Sequence, residues 1–152
     1  MRDIHRVILH CSATPDYPEP SRKYDLFGAK DIDAWHKERG FDQIGYNYVV
    51  RRTGVLEAGR DVSMIGAHCK GHNSDSIGIC YIGTRIPTIK QIETILDLAH
   101  NIHARFGVGS RNWYGHTELN DGKKICPGVH MDMVRKMVAL RLGEVVKSNR
   151  TL

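Results

Sequence analysis

Tyr46-Asn47-Tyr48-Val49-Val50-Arg51-Arg52-Thr53-Gly54-Val55-Leu56-Glu57 is the stretch on which the architecture turns. Tyr48, Val49 and Val50 are strand formers, and Thr53-Gly54 supplies a tight turn. Val55-Leu56-Glu57 can then return beside the outgoing strand, which makes an antiparallel hairpin. The remaining strand-like runs alternate with helical patterns, and that alternation is the signature of an α/β sandwich. The fold class is therefore α/β: one domain over residues 1–152, with a central mixed sheet of roughly five to six strands flanked by helices on both faces.

Upstream, residues 4–10 read as the first strand, with Val7-Ile8-Leu9 as a run buried on both faces. Pro15 ends the segment that follows. Neighbours in a strand point to opposite faces, so a His10 facing a cleft leaves Cys11 in the core. Residues 16–29 are polar and carry Pro18, Pro20 and Gly28, which reads as a loop over that cleft. Residues 30–39 form a helix with Ile32, Trp35 and His36 on one face and Gly40 as its stop. His36 reads as a packed or capping residue.

Downstream, residues 66–74 make a polar loop dense in groups that can bind a ligand, and residues 77–82 make an apolar third strand. Gly78 within that strand marks a close backbone approach. Thr88 and Gln91 form a capping box for a helix running to Phe106, with Gly107 as its stop. Ile89, Ile92, Leu96, Ala99, Ile102 and Phe106 recur at helical spacing along it. His100 and His103 lie three apart on the same helix, a spacing that amphipathic surface helices often carry without metal. Residues 112–115 are a short strand, and residues 132–146 are the last helix, with Val134, Val138, Leu142 and Val145 facing inward. Residues from 147 on are expected to fray.

Apolar residues make up 41% of the 152 and charged residues 26%, ordinary for a soluble globular protein. No apolar run approaches the ~18 residues of a membrane span, so no membrane partner is expected. The N-terminus enters a strand with no signal-peptide pattern, which implies synthesis in the cytoplasm. Four cysteines in such a chain read as thiols. The net charge of +5 favours an anionic partner. Because that charge is scattered, with no basic helix or long Lys/Arg block, nucleic acid is not the expected one.

The chemistry concentrates in residues 114–128, a Gly-rich loop carrying His116, Lys124 and Cys126. Two such ligands are a weak zinc signal. A catalytic zinc needs only three protein ligands and keeps a fourth position for water. His10, at the end of its strand, is the natural third. Tyr46, opening the second strand, can lie at the same sheet edge. Lys124 and Cys126 are two apart, so an extended segment presents both on one side. Taken singly, each also has an ordinary structural explanation: a hydrogen-bonded core histidine, an inert thiol, a surface lysine, a strand tyrosine. Ser12, Thr14 and Asn47 are candidates to hold the second ring nitrogen of a metal histidine.

His10-Cys11-Ser12-Ala13-Thr14, Gly45-Tyr46, Glu57-Ala58-Gly59-Arg60-Asp61, His68 with Lys70-Gly71, Ser76-Ile77-Gly78-Ile79-Cys80, and His116 with Lys124-Ile125-Cys126-Pro127 follow one another in a familiar order. The pattern resembles the type 2 N-acetylmuramoyl-L-alanine amidases, phage lysozyme-type zinc enzymes related to the peptidoglycan recognition proteins. The resemblance implies zinc ligands at His10, His116 and Cys126, catalytic assistance from Tyr46 and Lys124, and substrate binding at His68. It implies cleavage of the amide between the lactyl group of N-acetylmuramic acid and L-alanine in peptidoglycan. The expected actor is a monomeric endolysin, made in the cytoplasm and reaching the wall after release.

Asn120-Asp121-Gly122 lengthens the spacer between His116 and Lys124 relative to a phage member, so a larger loop is expected there rather than a lost site. Two alternatives stand beside this reading: a non-catalytic peptidoglycan-binding protein and a regulator that binds phage RNA polymerase. RNA polymerase inhibition in a phage member uses the N-terminal region. Few residues precede the first strand here, so that role is not expected.

Overall fold

Val7, Ile8 and Leu9 are fully buried, as a strand covered on both faces must be. They lie in β1 (Arg6–Cys11), which pairs in parallel with β4 (Ser76–Tyr81) on one side and β5 (Trp113–Gly115) on the other. β4 in turn pairs in parallel with β2 (Tyr48–Val50), and β2 pairs antiparallel with β3 (Leu56–Ala58). The result is a five-stranded mixed sheet in the order β3-β2-β4-β1-β5. The computed structural model describes residues 1–144.

The hairpin forms where the sequence placed it. Gly54 adopts φ 86°, a conformation that favours glycine, and Val50 registers with Leu56. β2 is shorter than expected because a side chain replaces a backbone acceptor beside Asn47 at its start. The Asn47 backbone N–H donates to the Gly78 carbonyl, and the Gly78 N–H donates back to Oδ1 of the Asn47 side chain.

Helices cover both faces. α1 (Ala29–Glu38) places Ile32 on a small cluster with Ile44, Val49, Cys80 and Ile82. α2 (Ile89–Phe106) and α4 (Met131–Leu142) cover the larger cluster on the opposite face, built on Val7, Leu9, Ile77, Ile79 and Trp113.

The capping box and left-handed Gly107 delimit α2 as the sequence implies. Its buried stripe, however, is Ile95, Leu98, Ala99 and Ile102, and Ile89 is 77% exposed. The first turn projects past the sheet, and Gln91 is the side chain drawn inward. Its Nε2 donates to the carbonyls of Val50 and Ile82, capping the ends of two parallel strands. α4 stops at Leu142, earlier than the expected residue 146, because Gly143 takes a left-handed conformation. Val145, expected on its inner face, and the fraying expected from residue 147 on lie outside the described residues. No described helix is long and apolar enough to cross a membrane.

Candidate metal centre

His10 occupies the penultimate position of β1, in register with Cys80, on the face covered by α1. Leu9 pairs with Gly115, so the chain leaving β5 emerges beside His10. The next residue, His116, begins a single helical turn, α3 (His116–Leu119), within the stretch expected to be loop. Its ring centroid stands 4.6 Å from that of His10.

Cys126 is returned to the same point by Thr117. The Thr117 N–H donates to the Cys126 carbonyl at 2.7 Å, and the Cys126 N–H donates to Thr117 Oγ1 at 2.7 Å. This clamp closes the loop at its base. The extra residues Asn120-Asp121-Gly122 therefore lie outside the site, turned by positive φ at Asp121 and Gly122. Cys126 Sγ also accepts from the Cys11 N–H at 3.3 Å.

The ligand atoms of His10, His116 and Cys126 all lie within 4.8 Å of one another, the one group of metal-ligand spacing among the described residues. Ligands at about 2.0 Å and about 2.3 Å from a tetrahedral zinc stand about 3.5 Å apart, close to the 3.9 Å between His10 Nδ1 and Cys126 Sγ. Two imidazoles and a thiol are a donor set that suits zinc. The residues present thus fit the ion that the sequence implied. A hydrogen bond with Cys11, and then burial, push the Cys126 thiol well up. A bound cation is what would hold its thiolate.

Around these three, a cleft of about 280 Å³ is lined by Ser12, His36, Tyr46, His68 and Lys124 among others. The Tyr46 ring lies 4.9 Å from His10. Burial drives its hydroxyl well above the ordinary range, so Tyr46 carries its proton at neutral pH. Lys124 is exposed on the rim, near enough to contribute, after burial, to lowering the pKa of His116. The cleft continues past Arg39, Phe41 and Lys70.

Two histidines outside the cluster are tied to backbone. His36 Nδ1 accepts from the Gly45 N–H at 2.9 Å, in agreement with a packing role. His103 Nδ1 lies 3.2 Å from the Val108 carbonyl and joins no metal group. His68 lines the cleft and is also held from behind. Expected to contact substrate, it is 9% exposed and has both ring nitrogens engaged inside the protein. Nδ1 lies 2.9 Å from His10 Nε2, and Nε2 lies 3.3 Å from Ser76 Oγ. The expected holders of the metal histidines bond elsewhere: Ser12 with Thr14 and Gly83, Asn47 with Gly78 and Arg60.

Burial is the largest cause of a lowered pKa at His10, His68 and His116, with His68 brought down to about 3. All three are neutral in the folded chain at pH 7, which leaves lone pairs available. The unfolded chain takes up protons below the ordinary histidine value of 6.5, whereas the folded chain resists doing so. Stability of the metal-free protein is therefore full above about pH 6.5 and falls as pH drops below it. Urea midpoints of chelated protein should hold from about pH 7.5 to about pH 6.5 and decline from there to about pH 5; a flat profile would contradict these burials.

Residues 1–129 match the model of a family described as N-acetylmuramoyl-L-alanine amidase. The endolysin of Escherichia phage T7 is 43% identical over 77 residues, covering 51% of this chain and 46% of the endolysin. Peptidoglycan-recognition protein LB of Drosophila melanogaster is 33% identical over 139 residues, 80% of this chain and 53% of that protein. The chain spans about half the length of the curated relatives it matches. Among solved structures, N-acetylmuramoyl-L-alanine amidase LysC from Clostridium intestinale superposes with a TM-score of 0.77 at 20% identity, over 95% of this chain and 88% of that one. That last likeness is one of fold.

Proposed function

This chain belongs to the N-acetylmuramoyl-L-alanine amidase family, and from that membership we propose that it is a zinc hydrolase acting on peptidoglycan as an endolysin does. The bond cut is the amide between the lactyl group of N-acetylmuramic acid and L-alanine. The observation that carries this reading is the convergence of a buried His10 with His116 and Cys126, two residues that line the same cleft as Tyr46 and Lys124.

A zinc ion held by these three residues would supply Lewis acidity toward the amide carbonyl and would acidify water. The protein's own groups do the rest. Tyr46, protonated and held against His10, accepts a hydrogen bond from the attacking water at its hydroxyl oxygen, takes the water's proton and passes its own toward the leaving nitrogen. Lys124 reaches in from the rim and donates from Nζ to the carbonyl oxygen as negative charge develops there. Arg39 and Lys70, farther along the cleft, suit a polymer whose peptides carry carboxylates.

End-group analysis of digested, purified peptidoglycan tests the assignment. New amino termini on L-alanine are expected, with no new reducing sugar ends. Reducing ends would make the enzyme a glycosidase. Binding to peptidoglycan with neither product would leave a recognition module.

A further inference from the structure

We propose that His68 and Ser76 form a positioning relay that fixes which nitrogen of His10 faces the metal. The proposal rests on the zinc reading of the centre and extends it to two residues outside the ligand set.

The direction of the relay is set at its far end. Ser76 Oγ–H donates to the His72 carbonyl at 2.7 Å, and a carbonyl can only accept. With its proton committed, Ser76 Oγ offers a lone pair to His68 Nε2, 3.3 Å away. His68 must then carry its proton on Nε2, which leaves Nδ1 as the acceptor in a neutral imidazole. His10 Nε2 lies 2.9 Å from that acceptor and so must be the N–H donor. The lone pair of His10 is thereby left on Nδ1, the atom 3.9 Å from Cys126 Sγ. A fixed backbone carbonyl thus dictates, through two side chains, the tautomer of a buried ligand.

The surroundings are built to hold the His68 ring still. A Cβ on Gly78 would stand 2.5 Å from its Cδ2, and one on Gly66 would stand 2.7 Å from the same atom. The ring therefore sits in a slot that only glycines leave open. The backbone behind it is pinned by Asn73, whose Oδ1 accepts from the His68 and Cys69 N–H groups at 2.9 Å each. A side chain used only to touch substrate has no need of this slot, or of a partner on its buried nitrogen.

The test measures zinc affinity by chelator competition in wild type, His68→Ala, His68→Asn, Ser76→Ala and the His68→Ala/Ser76→Ala double variant. Circular dichroism of each in chelator checks the fold. Loss of the group that orients a metal histidine costs about 10–100-fold in affinity, which is the expectation for His68→Ala. His68→Asn keeps an acceptor for the His10 N–H and should recover part of that loss. Ser76→Ala should weaken binding by about 3–10-fold alone, the worth of one hydrogen bond, and by nothing further once His68 is alanine.

Nitrogen-15 spectra of the metal-free wild type should show His10 protonated on Nε2, with the two tautomers mixed in His68→Ala. Wild-type zinc affinity in His68→Ala, additive losses in the double variant, or a His10 protonated on Nδ1 would each overturn the relay. Zinc binding that follows the relay pattern without peptidoglycan cleavage would fail the hydrolase reading and leave the relay standing.

Discussion

Cys126→Ser should cut peptidoglycan cleavage by about 10³-fold or more, because Lewis-acid stabilisation is worth several kcal/mol of the barrier. Serine offers a poor ligand in place of a thiolate, so bound zinc should fall with activity. The fold should survive, since the loop is closed by backbone and Thr117 rather than by the sulfur. The two bonds across its base involve the Cys126 N–H and carbonyl, which the substitution keeps. Zinc content, cleavage and far-UV circular dichroism on the same preparation check this. A folded variant that cleaves at the wild-type rate would remove Cys126 from the centre.

Tyr46→Phe and Lys124→Ala should separate chemistry from metal binding. Neither side chain is in the ligand group, so both variants should hold zinc as the wild type does. Loss of a proton-transfer group lowers the rate by about 10²–10⁴, the expectation for Tyr46→Phe. Loss of a single oxyanion donor costs about 10²–10³, the expectation for Lys124→Ala. Both losses should fall mainly on kcat, because these interactions strengthen as charge and proton move rather than when substrate docks. The phenylalanine keeps the ring packed on His10 and removes only the hydroxyl. Full activity in either variant would delete its assigned role, and a loss confined to KM would make the residue a substrate contact instead.

What the sequence made legible is what leaves a local or periodic trace. The hairpin at Thr53-Gly54 carries its own turn chemistry, and the Thr88–Gln91 box marks where α2 begins. The strand alternation that separates His10 from Cys11 put the cysteine against the larger core, where it also edges the cleft, and turned the fully buried histidine toward His116 and Cys126. Even the lengthened spacer was readable as a larger loop, although the Thr117 clamp that makes it harmless was not.

Contacts made across the fold left no such trace. Gln91 looked like a capping side chain, yet it also caps two strands. α3 is only four residues long and depends on Glu118, whose Oε1 accepts from the Gly115 N–H and from Arg135 of α4. At α4, apolar spacing carried the reading past Gly143, although that glycine was itself the stop signal. The His10–His68–Ser76 chain joins a strand end, a loop and the start of another strand. Ser12, Thr14 and Asn47 were the nearer candidates in sequence, and the sheet register brought Ser76 and the His68 loop together instead.

On the proposed reading, zinc at His10, His116 and Cys126 drives cleavage of the muramoyl–L-alanine amide. The most direct test counts zinc per chain while following release of L-alanine amino termini from purified peptidoglycan, before chelation, after it, and after zinc is restored. One metal per chain, amine release that stops with chelation, and recovery on adding zinc back are the expected results. Amine release that continues at full rate in protein shown to be free of metal would contradict that reading.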